Sequence, residues 1–418
     1  MTEIDAFIYD KKIGTMIDDG NTIWFEYDDD FRKYKLEISP IGMPLRLTSP
    51  FTNKSYPRLF QGLQGVFFDS LPDKHGMPFI DRYFERQGKR PFEVGLLDKL
   101  SFIGDRGMGA IEYRPQEEDG EHTQDVSIDA KEAYEQMKED LQNDEPSIES
   151  IMNIRDSVSP IGGGRPKMLV QYNYNTGEIR LNKKELHDGY ERAIIKFDDL
   201  YEGMGSDGAT RLEYVCMFLA GKAGINTADF HLMEDSEAKH LLVKRFDRDK
   251  EDRKIHMCTA SGLMNVDITI PQVISYEQLL MLTRSVCKSQ EDVEEMYRRM
   301  IFNILIFNFD DHAKNFAYLM DKDGNWKISP AYDITYSKGL AKQHTTTVSG
   351  KGLRIKRHEV LEIAARQTIK NTKAKMIIED CIRAVVGFKE LAYEVGLDED
   401  EVEMCWTDIV SQIELLRG

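Results

Sequence analysis

Residues 308–319 read NFDDHAKNFAYL, which sets two carboxylates, an imidazole, an ammonium and an amide in one short polar stretch. Just before it, Val293, Met296, Tyr297, Met300, Ile301, Ile304 and Leu305 recur at helical spacing. The region 291–307 is therefore expected to be an amphipathic helix, and the polar stretch the loop it runs into. Asp310 precedes Asn315 by five positions. That is the interval in a kinase catalytic loop, where the Asp accepts the proton of the attacking hydroxyl and the Asn carbonyl holds Mg²⁺. Taken alone, the spacing is better explained by polar residues solvating a helix end, so its meaning depends on what the rest of the chain supplies.

Downstream, FAYLM (316–320) and WKISP (326–330) flank DKDGN, whose Asp-Gly pair predicts a hairpin turn. The hairpin would return AYDI, with Asp333, to the loop as a further oxygen ligand for Mg²⁺. Upstream, Lys196 ends the apolar run of AIIKFD (193–198), as expected of a strand lysine that neutralises phosphates; a lysine snorkelling from a strand end is the ordinary alternative. Glu213 lies on the next expected helix, 210–224. It fits both a carboxylate that orients Lys196 and the last member of a Thr210-x-x-Glu213 capping box, and neither reading is preferred. GGGRPK (162–167) is neither a Walker A loop nor G-x-G-x-x-G. Gly162, Gly163 and Gly164 can still bring backbone N–H groups to phosphate oxygens, with Lys167 adding charge, and an ordinary glycine-rich turn is the alternative.

A glycine-rich loop with a lysine, a strand lysine, a helix glutamate, Asp-x4-Asn and a second Asp follow one another in the order of kinase parts. On these residues the sequence resembles the HipA family of serine/threonine protein kinase toxins from bacterial type II toxin–antitoxin systems. The resemblance rests on NFDDHAKNF (308–316), SPAYDI (329–334) and GGGRPK, with FFDSLPD (67–73) and FIGDRGMGAI (102–111) similar to the family's N-terminal subdomain. It implies an α+β, two-lobed protein-kinase-like fold with a small N-terminal subdomain and a mostly helical C-terminal lobe. It also implies ATP and Mg²⁺, with a protein hydroxyl as acceptor. By position, Asp310 would be the base, Asn315 and Asp333 the metal ligands, and Lys196 a phosphate contact. His312 would shape the loop or touch a phosphate, a structural histidine remaining open. VKRFD (243–247) resembles the hinge, whose backbone near Lys244 and Phe246 would take adenine; relatives often carry an acidic residue where Lys244 stands. Relatives also autophosphorylate a loop serine at the position of Pro160, which has no hydroxyl, so Ser157 or Ser159 would have to serve. The implied partner is a helix-turn-helix antitoxin of HipB type. The implied substrate is an aminoacyl-tRNA synthetase such as the glutamyl enzyme, whose modification halts growth.

Composition is that of an ordinary globular chain: 418 residues, 41% hydrophobic and 31% charged. The expected division is an N-terminal subdomain at 1–114, an acidic linker and small lobe at 115–250, and a helical lobe at 251–418. A formal charge of −18 opposes a phosphate backbone, so DNA is expected to be reached only through the antitoxin. No run is long and apolar enough for a membrane span, and MTEIDAFIYDKK lacks the plan of a signal peptide, making the cytosol the expected location. Cys216, Cys258, Cys287, Cys381 and Cys405 are scattered without a metal pattern and are read as reduced core thiols. Two other functions compete with an active protein kinase. One is a catalytically silent nucleotide-binding corepressor; the other is a small-molecule kinase of antibiotic-phosphotransferase type, which the N-terminal subdomain fits poorly.

Overall fold

The computed structural model describes residues 1–52, 58–72, 77–115, 127–128, 167–182, 184–198, 208–234, 239–339 and 341–418. Gly162, Gly163, Gly164, Ser157, Ser159, Pro160 and nearly all of the acidic stretch lie outside them.

The N-terminal region folds as an antiparallel sheet of β1 (Thr2–Ile8), β2 (Lys11–Asp18), β3 (Ile23–Tyr27), β4 (Phe51–Thr52) and β5 (Ile111–Arg114), in the order β4-β3-β2-β1-β5. Alternation within β3 sends Ile23, Phe25 and Tyr27 inward and leaves Trp24 and Glu26 exposed. Leu45-Arg46-Leu47 adds no strand: after Pro44 the chain turns, and Arg32 takes the carbonyls of Leu45 and Leu47.

A second sheet holds β6 (Ser127–Ile128), β7 (Lys167–Tyr172), β8 (Ile179–Leu181), β9 (Glu191–Lys196), β10 (Phe230–Glu234) and β11 (Lys239–Lys244), ordered β10-β11-β9-β7-β8-β6. On β9 the two-residue period splits the side chains. Ala193 and Ile195 join Met168, Val170 and Leu242 in a core under the sheet, while Ile194 packs with Leu169 and Met108 on the other face, the face that carries Lys196. The helix Ala209–Lys222 crosses between β9 and β10, and beyond residue 250 the chain is mainly helical. Embedded there are β12 (His256–Thr259), β13 (Ile274–Ser275), β14 (Ala317–Met320), β15 (Trp326–Ile328) and β16 (Thr346–Thr347).

The helix Gln290–Leu305 is capped by Ser289, whose side chain accepts from the N–H of Asp292 at 3.2 Å, and Glu291 and Asp292 favour its positive end. All seven apolar residues of its periodic face are buried, each contributing roughly 2 kcal/mol. Phe307 then takes a left-handed φ of 54° and turns the chain into the loop at 308. The predicted hairpin forms from β14 and β15, with Met320 opposite Trp326. Its turn is fixed by Asp321, whose carboxylate accepts from the N–H groups of Asp323 and Asn325, each at 2.9 Å. Four cysteines are buried, Cys287 is half-buried, and all five are free thiols.

The N-terminal region rests on the later sheet through β12, β14 and β15. Tyr9 receives the His256 N–H at 3.0 Å and donates to Met320 O at 2.9 Å, while Trp326 Nε1 reaches Glu37 O at 3.1 Å. His256 itself is fully buried, its Nε2 3.0 Å from Ile38 O, and burial pulls its pKa from 6.5 down to about 4. Its folded-state pKa is depressed, so the unfolded chain binds the extra proton and stability is lost as pH falls from about 6.5 to about 4. About 3 kcal/mol should be lost across that window. Urea unfolding against pH should show this slope, and His256→Gln should flatten it; a variant with the wild-type slope would refute the assignment.

Candidate active site

Five segments, β7, β9, the helix Ala209–Lys222, the loop at 308–315 and the stretch after β15, deliver the charged groups of one cleft lined by Lys167, Lys196, Glu213, Asp310, His312, Asn315 and Asp333, with Thr335, Tyr336 and Ser337 at its edge. Lys167 and Lys196 face each other as register partners on β7 and β9. Lys196 Nζ lies 2.6 Å from Glu213 Oε1 and also bonds Asp333 Oδ1. All three side chains are largely buried. Burial opposes the Lys196 charge, but Asp333 and Glu213 together raise the ammonium above its ordinary range.

Glu213 was open between two roles, and the helix start separates them. The N-cap is Gly208, at φ 108°, which places Thr210 inside the helix, and its Oγ1 donates to Lys239 O at 2.6 Å. No Thr-to-Glu box forms, and the Glu213 carboxylate turns to Lys196.

Asp333 also has a left-handed backbone, φ 52°, directly after Tyr332. Two contacts hold that turn in place: Tyr332 donates to Lys314 O at 2.7 Å, and Arg299 reaches Ser329 O at 2.6 Å. Burial acts to raise the Asp333 carboxyl, yet Lys196 and Lys167 outweigh it and hold it below the usual range. Asp310 is more open, its side chain 58% exposed, with His312 Nε2 3.8 Å away. The partial enclosure of the cleft raises its carboxyl, with Asp333 and Asp311 adding to the effect and His312 opposing it. Asn315 donates from Nδ2 to Asp310 O at 2.8 Å, which leaves its amide oxygen as the acceptor.

In the stretch VKRFD (243–247), Phe246 packs its ring against Tyr332, centroids 5.5 Å apart. Lys244 pairs with Glu191 at 2.8 Å and gives its N–H to Asp229 O at 2.8 Å.

Three carboxylates that tie neighbouring segments together were not singled out from the sequence: Asp311 and Asp247 are fully buried and Asp69 is half-buried. Asp311 is fully buried and accepts from Tyr276 Oη (2.8 Å), His344 Nδ1 (2.8 Å) and Thr346 N (3.0 Å), joining the loop to residues 344–346. Asp69, from FFDSLPD, accepts from Thr259 N at 2.7 Å and Thr259 Oγ1 at 3.0 Å. The next residue, Ala260, donates to Phe316 O at 2.7 Å, so the N-terminal region braces the end of the loop at 308–316. Asp247 accepts from Gly109 N at 2.7 Å and from Arg245 and Arg248. Burial acts to raise its carboxyl, but the two guanidiniums hold it far below the usual range. Gly109 sits at φ +77°, and a Cβ there would meet Met257 N at 3.0 Å, so the FIGDRGMGAI turn needs glycine to dock this closely.

Replacing Asp311 by Ala would leave three donors facing an apolar space. Unfolding free energy should fall by about 3–5 kcal/mol. Chemical denaturation measures this, and a loss under about 1 kcal/mol would show that the network does not hold the loop.

Comparison with known proteins adds to this geometry. A family model described as HipA N-terminal domain matches residues 4–114, and one described as HipA-like C-terminal domain matches residues 159–388. The serine/threonine-protein kinase toxin HipA of Shewanella oneidensis is 23% identical over 194 residues, 42% of each chain. A Haemophilus influenzae protein is 32% identical over 105 residues, 22% of this chain and 30% of its own length, so the match spans under a third of that relative. Among solved structures, the S. oneidensis complex of HipA, HipB and operator DNA superimposes with a TM-score of 0.70 at 18% identity, covering 99% of this chain and 96% of the other. That likeness shows the α+β kinase-like fold. Among the described residues, no helix is long and apolar enough to cross a membrane.

Proposed function

This chain belongs to the HipA family, and from that membership and its cleft we propose a serine/threonine protein kinase toxin that transfers the γ-phosphate of ATP to a hydroxyl of a cellular protein. The observation that carries the reading is Lys196 held between Glu213 and Asp333 above Asp310 and Asn315. A non-catalytic nucleotide binder has no physical need for that whole set. Phosphoryl transfer depends on position and charge neutralisation more than on covalent chemistry.

Asp310 would accept the acceptor proton, its raised carboxyl suiting a base in a partly enclosed site. Asp333 and the amide oxygen of Asn315 would hold Mg²⁺. The donors fit: both are hard oxygens, and Mg²⁺ commonly takes one or two protein ligands with phosphates and water completing its shell. When bound, the ion neutralises phosphate charge. Lys196 and Lys167, with the backbone of Gly162, Gly163 and Gly164, would hold the phosphates. His312 Nδ1 is buried and has no hydrogen-bond partner among the described residues, as a group awaiting a phosphate oxygen would be. The backbone at Lys244 and Phe246 would hold the adenine.

The partner would be an antitoxin of HipB type, through which any operator DNA is reached. The acceptor would be an aminoacyl-tRNA synthetase, the glutamyl enzyme first, so that its modification arrests translation and growth in the cytosol. Labelled ATP and a bacterial extract, with wild type beside Asp310→Asn, test this directly. Label on a synthetase only with wild type is the expected result; no transfer to any protein would overturn the kinase reading, and label on a small molecule would replace the acceptor. Autophosphorylation at Ser157 or Ser159 is part of the same proposal. Intact mass after incubation with ATP should rise by one phosphate, and an unchanged mass would remove that part.

A further inference from the structure

The ammonium in NFDDHAKNF belongs to Lys314, and neither the cleft nor the Asp311 network uses it. Asp310, His312 and Asn315 line the cleft; Lys314 does not. Its Nζ lies over the ring of Phe68, 5.4 Å from the centroid, and so reaches the N-terminal region. A lysine stem commonly covers an aromatic ring while its charge reaches water, and Lys314 would need no other role if that were all. The residue after Phe68 is Asp69, and it gives the charge a counterpart.

Asp69 closes the helix Gly65–Phe68 and accepts from Thr259 N, from Thr259 Oγ1 and, at 3.5 Å, from Cys258 Sγ. Burial raises its carboxyl, and the Lys314 ammonium is the foremost group opposing that rise. The carboxylate also stands on a fixed mount. Gly65 N donates to Asn265 Oδ1 at 2.8 Å, and a Cβ on Gly65 would meet Gly262 O at 2.5 Å, so the two segments touch backbone to backbone.

Through its backbone Lys314 reaches both groups assigned to Mg²⁺. Asn315 is the next residue in the turn Ala313–Asn315, whose N–H donates to His312 O at 2.9 Å. The Lys314 carbonyl accepts from Tyr332 Oη at 2.7 Å, and Tyr332 leads directly into Asp333 with its φ of 52°. A single residue thus joins the N-terminal region, by its side chain, to the two oxygen ligands, by its main chain.

We propose that Lys314 is a positioning residue for the metal site, and that Asp69 in the N-terminal region sets through it how tightly Asn315 and Asp333 hold a divalent cation. The inference deepens the kinase reading and rests on it for the assignment of those two ligands. Releasing the ammonium would free the turn 313–315 to rotate, together with the carbonyl that steadies Tyr332. Groups that orient a metal's ligands typically change its affinity about 10- to 100-fold when removed.

The test measures the affinity of the full chain for a fluorescent, non-hydrolysable ATP analogue by anisotropy, once with Mn²⁺ and once with EDTA. The ratio is the metal's share of binding, read without phosphoryl transfer. Lys314→Met keeps the stem over Phe68 and removes the charge. Its gain from Mn²⁺ should fall about tenfold, while metal-free affinity and circular dichroism stay as in the wild type. Lys314→Arg should keep most of the gain. Asp69→Asn should lower it, and Lys314→Met/Asp69→Asn should be no worse than the more severe single variant, as for two members of one link. Where Asp69→Asn destabilises the chain, the two Lys314 variants decide. An unchanged gain in Lys314→Met would leave the lysine a packing stem and overturn the proposal, as would losses that multiply in the double variant or a wild type that gains nothing from Mn²⁺. The two readings fail separately. A gain lost in Lys314→Met, with no phosphate reaching any extract protein, would sink the kinase assignment and leave the positioning role standing; an active kinase whose Lys314→Met variant keeps the full gain would do the reverse.

Discussion

Asp310→Asn should lower the rate of phosphoryl transfer about 10³-fold while changing the unfolding free energy by less than about 1 kcal/mol. Both halves follow from the surroundings of this carboxylate. Its side chain is 58% exposed and His312 Nε2 is 3.8 Å away, so little of the packing depends on it. Asparagine keeps the shape and preserves the backbone carbonyl to which Asn315 Nδ2 donates. What it removes is the proton acceptor. Single-turnover transfer from labelled ATP, beside urea unfolding of the same preparations, gives both numbers. A loss below about tenfold would take the general-base role from Asp310, and a large loss of stability would make the activity result uninformative about chemistry.

The residues of the cleft were more legible in the sequence than the bracing around them, and the reason is distance along the chain. Asp310, His312 and Asn315 sit in one stretch behind a strongly periodic helix, and Asp333 is returned by a hairpin whose Asp-Gly turn is itself a local signal. Each of those steps can be read within a window of about 15 residues. Glu213 was ambiguous because T-x-x-E spells a cap as well as an ion pair, and the choice depended on a helix start set by Gly208. Asp311 looked like another solvated loop carboxylate. Its burial is created by Tyr276, His344 and Thr346, residues 35, 33 and 35 positions away, which no local pattern announces. Asp69 and Asp247 are further cases, with partners 190 and 138 positions distant. In FFDSLPD the motif was visible, but the work of its aspartate, bracing Thr259 and through it Phe316, was not. Short-range signals find the residues that line the cleft; groups that hold the loop in place become visible only once the topology brings distant segments together.

Lys196→Met is the harsher substitution, because stability and activity should both fall, for separable reasons. In the wild type the ammonium lies between two buried carboxylates, so its loss leaves Glu213 and Asp333 facing each other without a counter-charge. Breaking a buried pair from one side costs roughly 3–5 kcal/mol. The pH dependence follows from the same geometry. In the wild type Lys196 and Lys167 hold Asp333 below the usual carboxylate range against the effect of burial, so this contribution to stability is present at neutral pH and is lost as pH falls below the ordinary Asp value. In the variant a crowded carboxyl is raised instead, and its cost grows as pH rises through that region. The two stability profiles should therefore separate from about pH 4 toward about pH 7 and converge further below about pH 4, as urea unfolding would show. Adding Glu213→Met removes the second buried charge and should recover most of the stability, since an apolar replacement of a buried pair is often neutral. Phosphoryl transfer should stay low in the double variant, because no cation replaces Lys196 beside the phosphates. If stability and activity recovered together, Lys196 would be a packing residue, and the cleft would lose the feature on which its assignment rests.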